Sequence, residues 1–503
     1  MGIAAPAHKL ATEGVYGNDL YRGFYRTEAL NYEYMPLYPL LVAASYKVFG
    51  LGVWQARLVS MLCGLATILL TFQLGRTLYH AAFGLTAAAA LCLMSLGVDP
   101  YMSGIPLLDL ARVIRYDILV PVFVLGACLV FCWAENHDQK IGYLGAGFLV
   151  GLATLTHLYG AFILLPFAVL LLWQNGWRVI LKPALYLLGL AWILCLVPWL
   201  LYVGIDPAAY EGQMLRHAER FHLFDPGFLL WNLTHEHWRY LTWVGGSFHQ
   251  PILWPRLGIW LLPIALTTTT ILLWRKRRTS QLADRFILVT LPVLALALAL
   301  LLNLKRYPYL ILILPFMALQ VANAMTAWWR HGRLRWLLGL LVAGLMIESG
   351  SNVVHNLQVA RSTTDYQRLT AAIAAEIPAD ARLLIAQTYW LGLADYDTLS
   401  LNLPFVLSDP HYRYRFPDTP SMEAVMQEID PDYIVIEHYF LDEYFRDPNS
   451  WLNPEVVRRW ERFNAYFTTA CRVVATFPAA DYGQTDLFQC QTDAQSSNPI
   501  QQE

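Results

Sequence analysis

Charge is scarce in this chain: Asp, Glu, Lys and Arg make up only 14% of its 503 residues, where a soluble protein would carry about 25%. The formal net charge of −2 leaves no bulk attraction for nucleic acid, so no nucleic-acid partner is expected. There is no Walker motif and no Gly-rich dinucleotide fingerprint, so nothing marks a nucleotide or nucleotide-sugar site. The seven cysteines show no metal-ligand spacing. Residues 1–35 hold no apolar run and read as neither a signal peptide nor a membrane span. No internal repeat is visible.

What is abundant is apolar sequence, 57% of the chain, gathered in blocks of bilayer length. That composition predicts an all-α polytopic membrane bundle. The run 36–49 is apolar but short, and suits a helix lying in the interface. About ten spans follow, at 53–78, 82–98, 118–133, 141–156, 158–173, 184–203, 259–274, 286–302, 309–328 and 334–347. Pro166, Pro198, Pro263, Pro292 and Pro315 predict local kinks. Trp133, Trp173, Trp274, Trp328 and Trp329 sit at run ends, as interfacial belts do. The cationic clusters at 275–278 and at Arg330, Arg333 and Arg335 fall on one side, together with Arg76, Lys140, Arg178 and Lys182. The positive-inside rule makes that side cytoplasmic. The outer side then holds 99–117, 204–258, 303–308 and everything after Glu348.

The expected organisation is an outer loop and interfacial helix over 1–52, a helical membrane domain over 53–350, a small α/β extracytoplasmic domain over 351–492 and a disordered tail over 493–503. In the outer domain 366–377 reads as an amphipathic helix. Strands are expected at 382–387 and, after the turn Asp430-Pro431-Asp432, at 433–437. Segments 471–477 and 486–490 read as a hairpin around Asp481-Tyr482-Gly483. Cys471 and Cys490 flank it in an oxidising compartment, which leaves a disulfide or two unpaired thiols. The other five cysteines lie in apolar runs as packing residues.

Ionisable groups at a membrane boundary are costly unless they meet a partner or a polar cavity, which makes them candidates for function. In LARVIRYDIL, residues 110–119, Arg112 and Arg115 are spaced to share a helix face, with Asp117 close by. The plain alternative is a snorkelling helix end with a local salt bridge. His157, in THLYG, is either a ligand or catalytic group or a packing residue. Glu33, in NYEYMPLYP, is either functional or a solvated loop carboxylate. Lys305 and Arg306, in LKRYPYL, form a tight cationic pair on the side expected to be poor in cations. A phosphate at the outer leaflet would explain them, and an exposed loop cap is the alternative. The loop 204–258 carries His217, His222, His235, His237 and His249. His235-Glu236-His237 could hold a metal, but no second cluster completes a site. The loop's aromatics could instead grip an acyl chain or cover a cavity.

The segments GVYGNDLYRGFYRTEALNYEYMPLYPLLVA, ARVIRYD, GLATLTHLYGA and KRYPYLILILPFMAL together resemble the integral-membrane glycosyltransferases of the C superfold. These are relatives of the protein O-mannosyltransferases and of the aminoarabinose transferase that modifies lipid A. The resemblance covers about residues 10 to 330. It implies an enzyme of the inner (plasma) membrane that takes a sugar from a polyprenyl-phosphate donor on the extracytoplasmic face. The acceptor would be a lipid, a glycan or a protein. By the resemblance, Glu33 matches an acidic position near the first-loop proline motif, with a catalytic or metal-binding role. Arg112, Arg115 and Asp117 match the second-loop motif beside the donor, Asp117 as a catalytic carboxylate. His157 matches a His-bearing junction, and Lys305, Arg306 and Tyr307 match the loop that holds the lipid phosphate. The cofactor stays open, a divalent metal at His157 and Glu33 being one option. The family's first span and the principal acidic residue at its end are expected upstream of Met1.

The chemistry fits these residue types. Departure of a polyprenyl phosphate needs cations where charge builds up, and the acceptor hydroxyl needs a carboxylate. Two other readings stay open. A transporter or flippase predicts ionisable residues near the midplane and inverted repeats, whereas these charges gather on one face. A catalytically inactive relative that binds lipid-linked sugar would keep the cations and lack the carboxylate.

Overall fold

The computed structural model describes residues 2–95, 104–218, 225–241, 257–277, 281–303, 305, 307–409, 421–438, 454–479 and 483–490. Arg306, His222, His249, the tail 493–503 and the tip of the expected hairpin at Asp481-Tyr482 lie outside them.

The membrane part is built from α1 (Ala4–Glu13), α2 (Leu37–Phe49), α3 (Val53–Leu78), α4 (Ala81–Leu93), α5 (Pro106–Ala111), α6 (Val120–His137), α7 (Lys140–Thr154), α8 (Leu164–Asn175) and α9 (Pro183–Val203). It continues through α10 (Pro207–Ala218), α11 (Pro226–Thr234), α12 (Trp238–Leu241), α13 (Leu257–Lys276), α14 (Leu282–Leu301), α15 (Leu314–Arg330) and α16 (Arg335–Ser362). Among the described residues, six helical stretches are long and apolar enough to cross a membrane by length and composition. The expectation of about ten spans meets shorter elements at α4 and α7, of 13 and 15 residues. At ~1.5 Å per residue these rise about 20 Å, less than the ~30 Å hydrocarbon core.

Two of the expected kinks are helix starts instead. Pro166 and Pro315 stand in the first turns of α8 and α15, directly after the 3-10 segments Leu158–Ile163 and Tyr307–Leu312. First-turn N–H groups have no intrahelical acceptor, so proline loses nothing there. Pro198, Pro263 and Pro292 do lie inside helices. The packing of α7 on α9 depends on Gly147 and Gly151: a Cβ at either would come within 2.3 Å of Leu188 O or 2.4 Å of Cys195 Cβ. Small residues four apart let two backbones approach in this way.

The helix α16 runs unbroken for 28 residues, through the expected domain boundary at 350. The C-terminal domain beyond it, called the outer domain after its expected side, contains α17 (Tyr366–Ala374), β1 (Arg382–Ile385), β2 (Asp397–Ser400), α18 (Leu403–Leu407), α19 (Met422–Ile429), β3 (Tyr433–Glu437), α20 (Pro454–Ala470), β4 (Cys471–Ala479) and β5 (Gly483–Cys490). The strand order is β2-β1-β3-β5-β4, parallel on the β2-β1-β3 side and antiparallel beyond it. Tyr433–Glu437 is buried throughout, as a central strand covered on both faces should be. The expected hairpin is β4–β5, in which Cys471 and Cys490 face each other and form a disulfide with a Cα–Cα distance of 4.0 Å.

The N-terminal segment is more structured than its sequence suggested. Ile3 and Ala7 belong to the bundle core, while Ala4, Ala5, Leu20, Tyr21 and Phe24 belong to the core of the outer domain. The segment therefore ties the two parts together. Arg22 pairs with Asp397 at 3.0 Å, and Gln387 donates to the Tyr21 hydroxyl at 2.6 Å.

Candidate active site

The loop before α2 is fixed by a buried glutamine. Gln213, on α10, accepts from the Tyr32 N–H at 2.8 Å and donates to the carbonyls of Tyr25 and Leu30. The Tyr16 hydroxyl donates to the Tyr34 carbonyl at 2.8 Å, and the Leu37 N–H reaches the Leu155 carbonyl at 3.2 Å. This holds Tyr32, Glu33, Tyr34 and Met35 along one wall of a cleft. Tyr116, His157 and Tyr309 also line it, together with Trp199 of α9 and Tyr210 and Met214 of α10. Burial, with Glu33 beside it, pushes the Tyr34 hydroxyl up, so it stays a neutral donor.

His157 precedes a 3-10 turn, and its Nδ1 accepts from the Tyr159 N–H at 3.3 Å. Its ring stacks on Tyr116, with centroids 5.3 Å apart, and meets Tyr309 edge-on at 5.6 Å. Glu33 and His157 thus share one cleft. Two protein donors fall short of the three that a catalytic metal site takes, and among the described residues no group of three or more His, Cys, Asp or Glu is arranged to hold a metal. Among the described residues no third donor completes a zinc-type site around Glu33 and His157.

Asp117 is not among the residues that line the cleft. It is fully buried, with Arg115 Nε at 2.5 Å on one oxygen and the Tyr159 hydroxyl at 3.0 Å on the other. The backbone N–H of Arg115 donates to the Tyr38 hydroxyl, itself 2.6 Å from Ser60 Oγ. Tyr159 in turn packs edge-on against Tyr309 at 5.5 Å. Arg112 goes elsewhere: it bonds Asn356 of α16 at 3.0 Å and lies 3.8 Å from Asp109. The spacing that would put both guanidiniums on one helix face is interrupted, because α5 ends at Ala111 and Arg115 has extended backbone.

Lys305 is buried and bonds Glu236 at 2.8 Å and the Ala299 carbonyl at 2.9 Å. Burial pushes its ammonium down to about 8, against the upward pull of Glu236. Arg239, fully buried, grips Glu236 with Nε at 2.7 Å and Nη2 at 3.2 Å. Its guanidinium lies 5.9 Å from the centroid of Tyr309. Tyr307 is buried at the start of the same 3-10 turn as Tyr309. That turn packs against the one bearing Asp117, so the Lys305 and Arg115 regions adjoin.

Sequence reading missed Glu236, Arg239, Tyr159 and Tyr309 as members of this site. Glu236 reads with His235 and His237 as a metal candidate, yet its oxygens face two cations. Arg239 follows Glu236 by three residues in a loop expected on the outer side, and the topology rule that singles out Lys305 applies to it equally.

Residues 34–202 match the family described as dolichyl-phosphate-mannose-protein mannosyltransferase. ArnT from Cupriavidus metallidurans, bound to undecaprenyl phosphate, is similar in structure with a TM-score of 0.59 at 15% identity, over 97% of this chain and 92% of ArnT. The archaeal oligosaccharyltransferase AglB from Archaeoglobus fulgidus, in complex with an inhibitory peptide and a dolichol-phosphate, gives 0.55 at 12% identity, over 99% of this chain and 70% of AglB. No curated protein sequence matches the chain. With its helical membrane bundle, small C-terminal sheet domain and family match over residues 34–202, the chain has the architecture of the C-superfold integral-membrane glycosyltransferases of the ArnT and protein-mannosyltransferase type.

Proposed function

We propose that the chain transfers a sugar from a polyprenyl-phosphate donor to an acceptor on the extracytoplasmic face. The observation that carries this reading is one cleft lined by a carboxylate, with two buried cations next to one of its rings: Glu33 and Tyr309 share the lining, Arg239 lies 5.9 Å from the Tyr309 ring centroid, and Glu236 joins Arg239 to Lys305. Arg239 and Lys305 would take the phosphate of the donor, a role given to Lys305 and Tyr307 by the resemblance. A charge-assisted, forked contact suits a phosphate oxygen pair. Glu33 would accept the proton of the acceptor hydroxyl as that oxygen bonds the anomeric carbon. The bond from the anomeric carbon to the phosphate oxygen breaks, and the cations neutralise the charge left on the phosphate. Asp117, having both oxygens engaged, positions Tyr159 and Arg115 rather than acting on the substrate. The aromatic walls offer stacking faces to a sugar ring and exclude water from the reacting centre. The lipid phosphates in the ArnT and AglB structures support this choice of donor class.

The outer domain, with its disulfide, would then lie outside the cell membrane, and the cations of 275–277 inside it. Cysteine labelling in intact cells tests the orientation, with label expected at Ser421→Cys and none at Arg277→Cys. For the activity, the full chain in detergent should release sugar from a polyprenyl-phosphate donor, and Glu33→Gln should abolish turnover while leaving donor binding in place. Turnover by Glu33→Gln at the wild-type rate would remove Glu33 from the reaction.

A further inference from the structure

The three charges of the Arg239–Glu236–Lys305 cluster, next to the Tyr309 ring of the cleft, are not equally exposed. The side chains of Lys305 and Arg239 are 1% and 0% exposed, whereas Glu236, which bridges them, keeps 13%. Each cation also has an anchor that does not involve Glu236. Lys305 donates to the carbonyl of Ala299 and Arg239 to that of Leu298, 2.9 and 3.1 Å away in the last turn of α14. The negative end of a helix dipole holds cations in place without a counter-ion. Among the described residues, Glu236 has no such second anchor: its side-chain hydrogen bonds run to those two cations. It stands in the short connection between α11 and α12.

We propose that Glu236 is a resident counter-anion: it fills the lipid-phosphate seat between Arg239 and Lys305 in the unliganded chain, yields it to the donor, and returns to expel the polyprenyl phosphate left after transfer. A carboxylate gripped by a guanidinium fork and an ammonium presents two anionic oxygens, as a phosphate does. The exchange keeps two buried cations from standing uncompensated at any stage, which would be costly in a low-dielectric site. It also answers a problem of charge. The donor is a phosphodiester with a single negative charge, but the product is a monoester carrying about −1.5 to −2 at neutral pH. Cations alone would hold the product more tightly than the substrate. A tethered carboxylate competing for the same seat counters that.

This inference rests on the lipid-phosphate reading above, and one experiment separates the two. Undecaprenyl phosphate is titrated into the purified full chain, comparing the wild type with Glu236→Gln, Glu236→Asp and Lys305→Ala. Glu236→Gln should bind about ten-fold more tightly than the wild type, because an ionic competitor is gone. Glu236→Asp keeps the charge but is too short to reach both cations, so it should fall between the two. Lys305→Ala should bind more weakly than the wild type. Affinity unchanged or reduced in Glu236→Gln, with Lys305→Ala weakened, would overturn the counter-anion and leave the donor reading standing. Should the Gln variant not fold, Glu236→Asp binding no more tightly than the wild type overturns the counter-anion in its place. Absence of binding to the wild type and to all three variants would overturn the lipid-phosphate reading and this inference with it.

Discussion

Two ion clusters sit on adjoining elements of the bundle, and they are closed in opposite ways. In the Arg115–Asp117 pair the carboxylate is sunk, at 0% side-chain exposure, and the guanidinium keeps 31%. In the Arg239–Glu236–Lys305 triad the cations are sunk and the carboxylate keeps 13%. Which ion is buried decides what the cluster can do. Asp117 has a donor on each oxygen, from Arg115 and Tyr159, and its burial leaves no open approach for a ligand. It serves as a brace beneath the aromatic wall. The cations of the triad are anchored by backbone carbonyls and paired with the more exposed Glu236, the arrangement on which the proposed anion seat rests.

The largest expected effect comes from breaking the brace. Asp117→Ala removes one partner of a buried ion pair, a change that costs about 3–5 kcal/mol when the other charge stays buried. Arg115 is partly exposed and can recover some hydration, which puts the expected loss near the lower figure, about 3 kcal/mol. Thermal unfolding in detergent measures it. A loss under about 1 kcal/mol would mean that Asp117 is not a brace, and would return it to the cleft as a working carboxylate.

Glu437 sharpens the contrast, because it is a sunk carboxylate held by a neutral donor. Its side chain accepts from the Tyr389 hydroxyl at 3.1 Å in the outer domain, and burial pushes it from 4.5 up to about 7. The folded domain therefore binds the proton more tightly than the unfolded chain. The associated stability is fully present below pH 4.5 and is lost as pH rises through about 7. At 1.36 kcal/mol per unit the loss amounts to about 3 kcal/mol. Calorimetry from pH 5 to 8 should show the outer domain weakening with pH, and Glu437→Gln should flatten the profile. An unchanged pH slope in that variant would assign the effect to another group.

The next effect in size is on binding. Lys305→Ala should weaken undecaprenyl phosphate about ten-fold or more, the value of a charge-assisted hydrogen bond. Folding should suffer less than in Asp117→Ala, since Glu236 keeps Arg239. Equal losses of stability in the two variants, with no change in affinity, would make the triad a second brace and erase the distinction between the clusters.

The architecture was legible because bilayer length and hairpin chemistry leave strong marks. The 53–78 run is α3 end to end, and 433–437 is β3 as expected. Two kinds of feature were not legible. The 3-10 turns before α8 and α15 are apolar and lie within the apolar runs, so their sequences read as helix interior, although they carry Tyr159 and Tyr309. Ion partners were hidden by distance along the chain: Lys305 and Glu236 are 69 residues apart, and no periodicity links them. Asp117 was found by its cost at the membrane boundary, which identifies a residue that must be paired without saying whether the pair is structural or functional. That question turns on burial, which a sequence motif does not encode.

Tyr159→Phe should produce the smallest effect, and it tests whether the clusters are separate. The substitution keeps the ring, so the contacts with His157 and Tyr309 at 4.2 and 5.5 Å are retained. What is lost is the hydroxyl that donates to Asp117 Oδ1. Arg115 still holds the other oxygen, so the carboxylate is half-satisfied rather than orphaned, and the expected cost is about 1 kcal/mol of stability. Undecaprenyl phosphate affinity should stay within about two-fold of the wild type, about 0.4 kcal/mol, because the proposed seat is built on α14 and Arg239 rather than on the brace. A fall in affinity as deep as that of Lys305→Ala would show that the Asp117–Tyr159–Tyr309 contacts transmit to Arg239 through the Tyr309 ring. The two clusters would then be one unit, with the sunk carboxylate tuning the sunk cations.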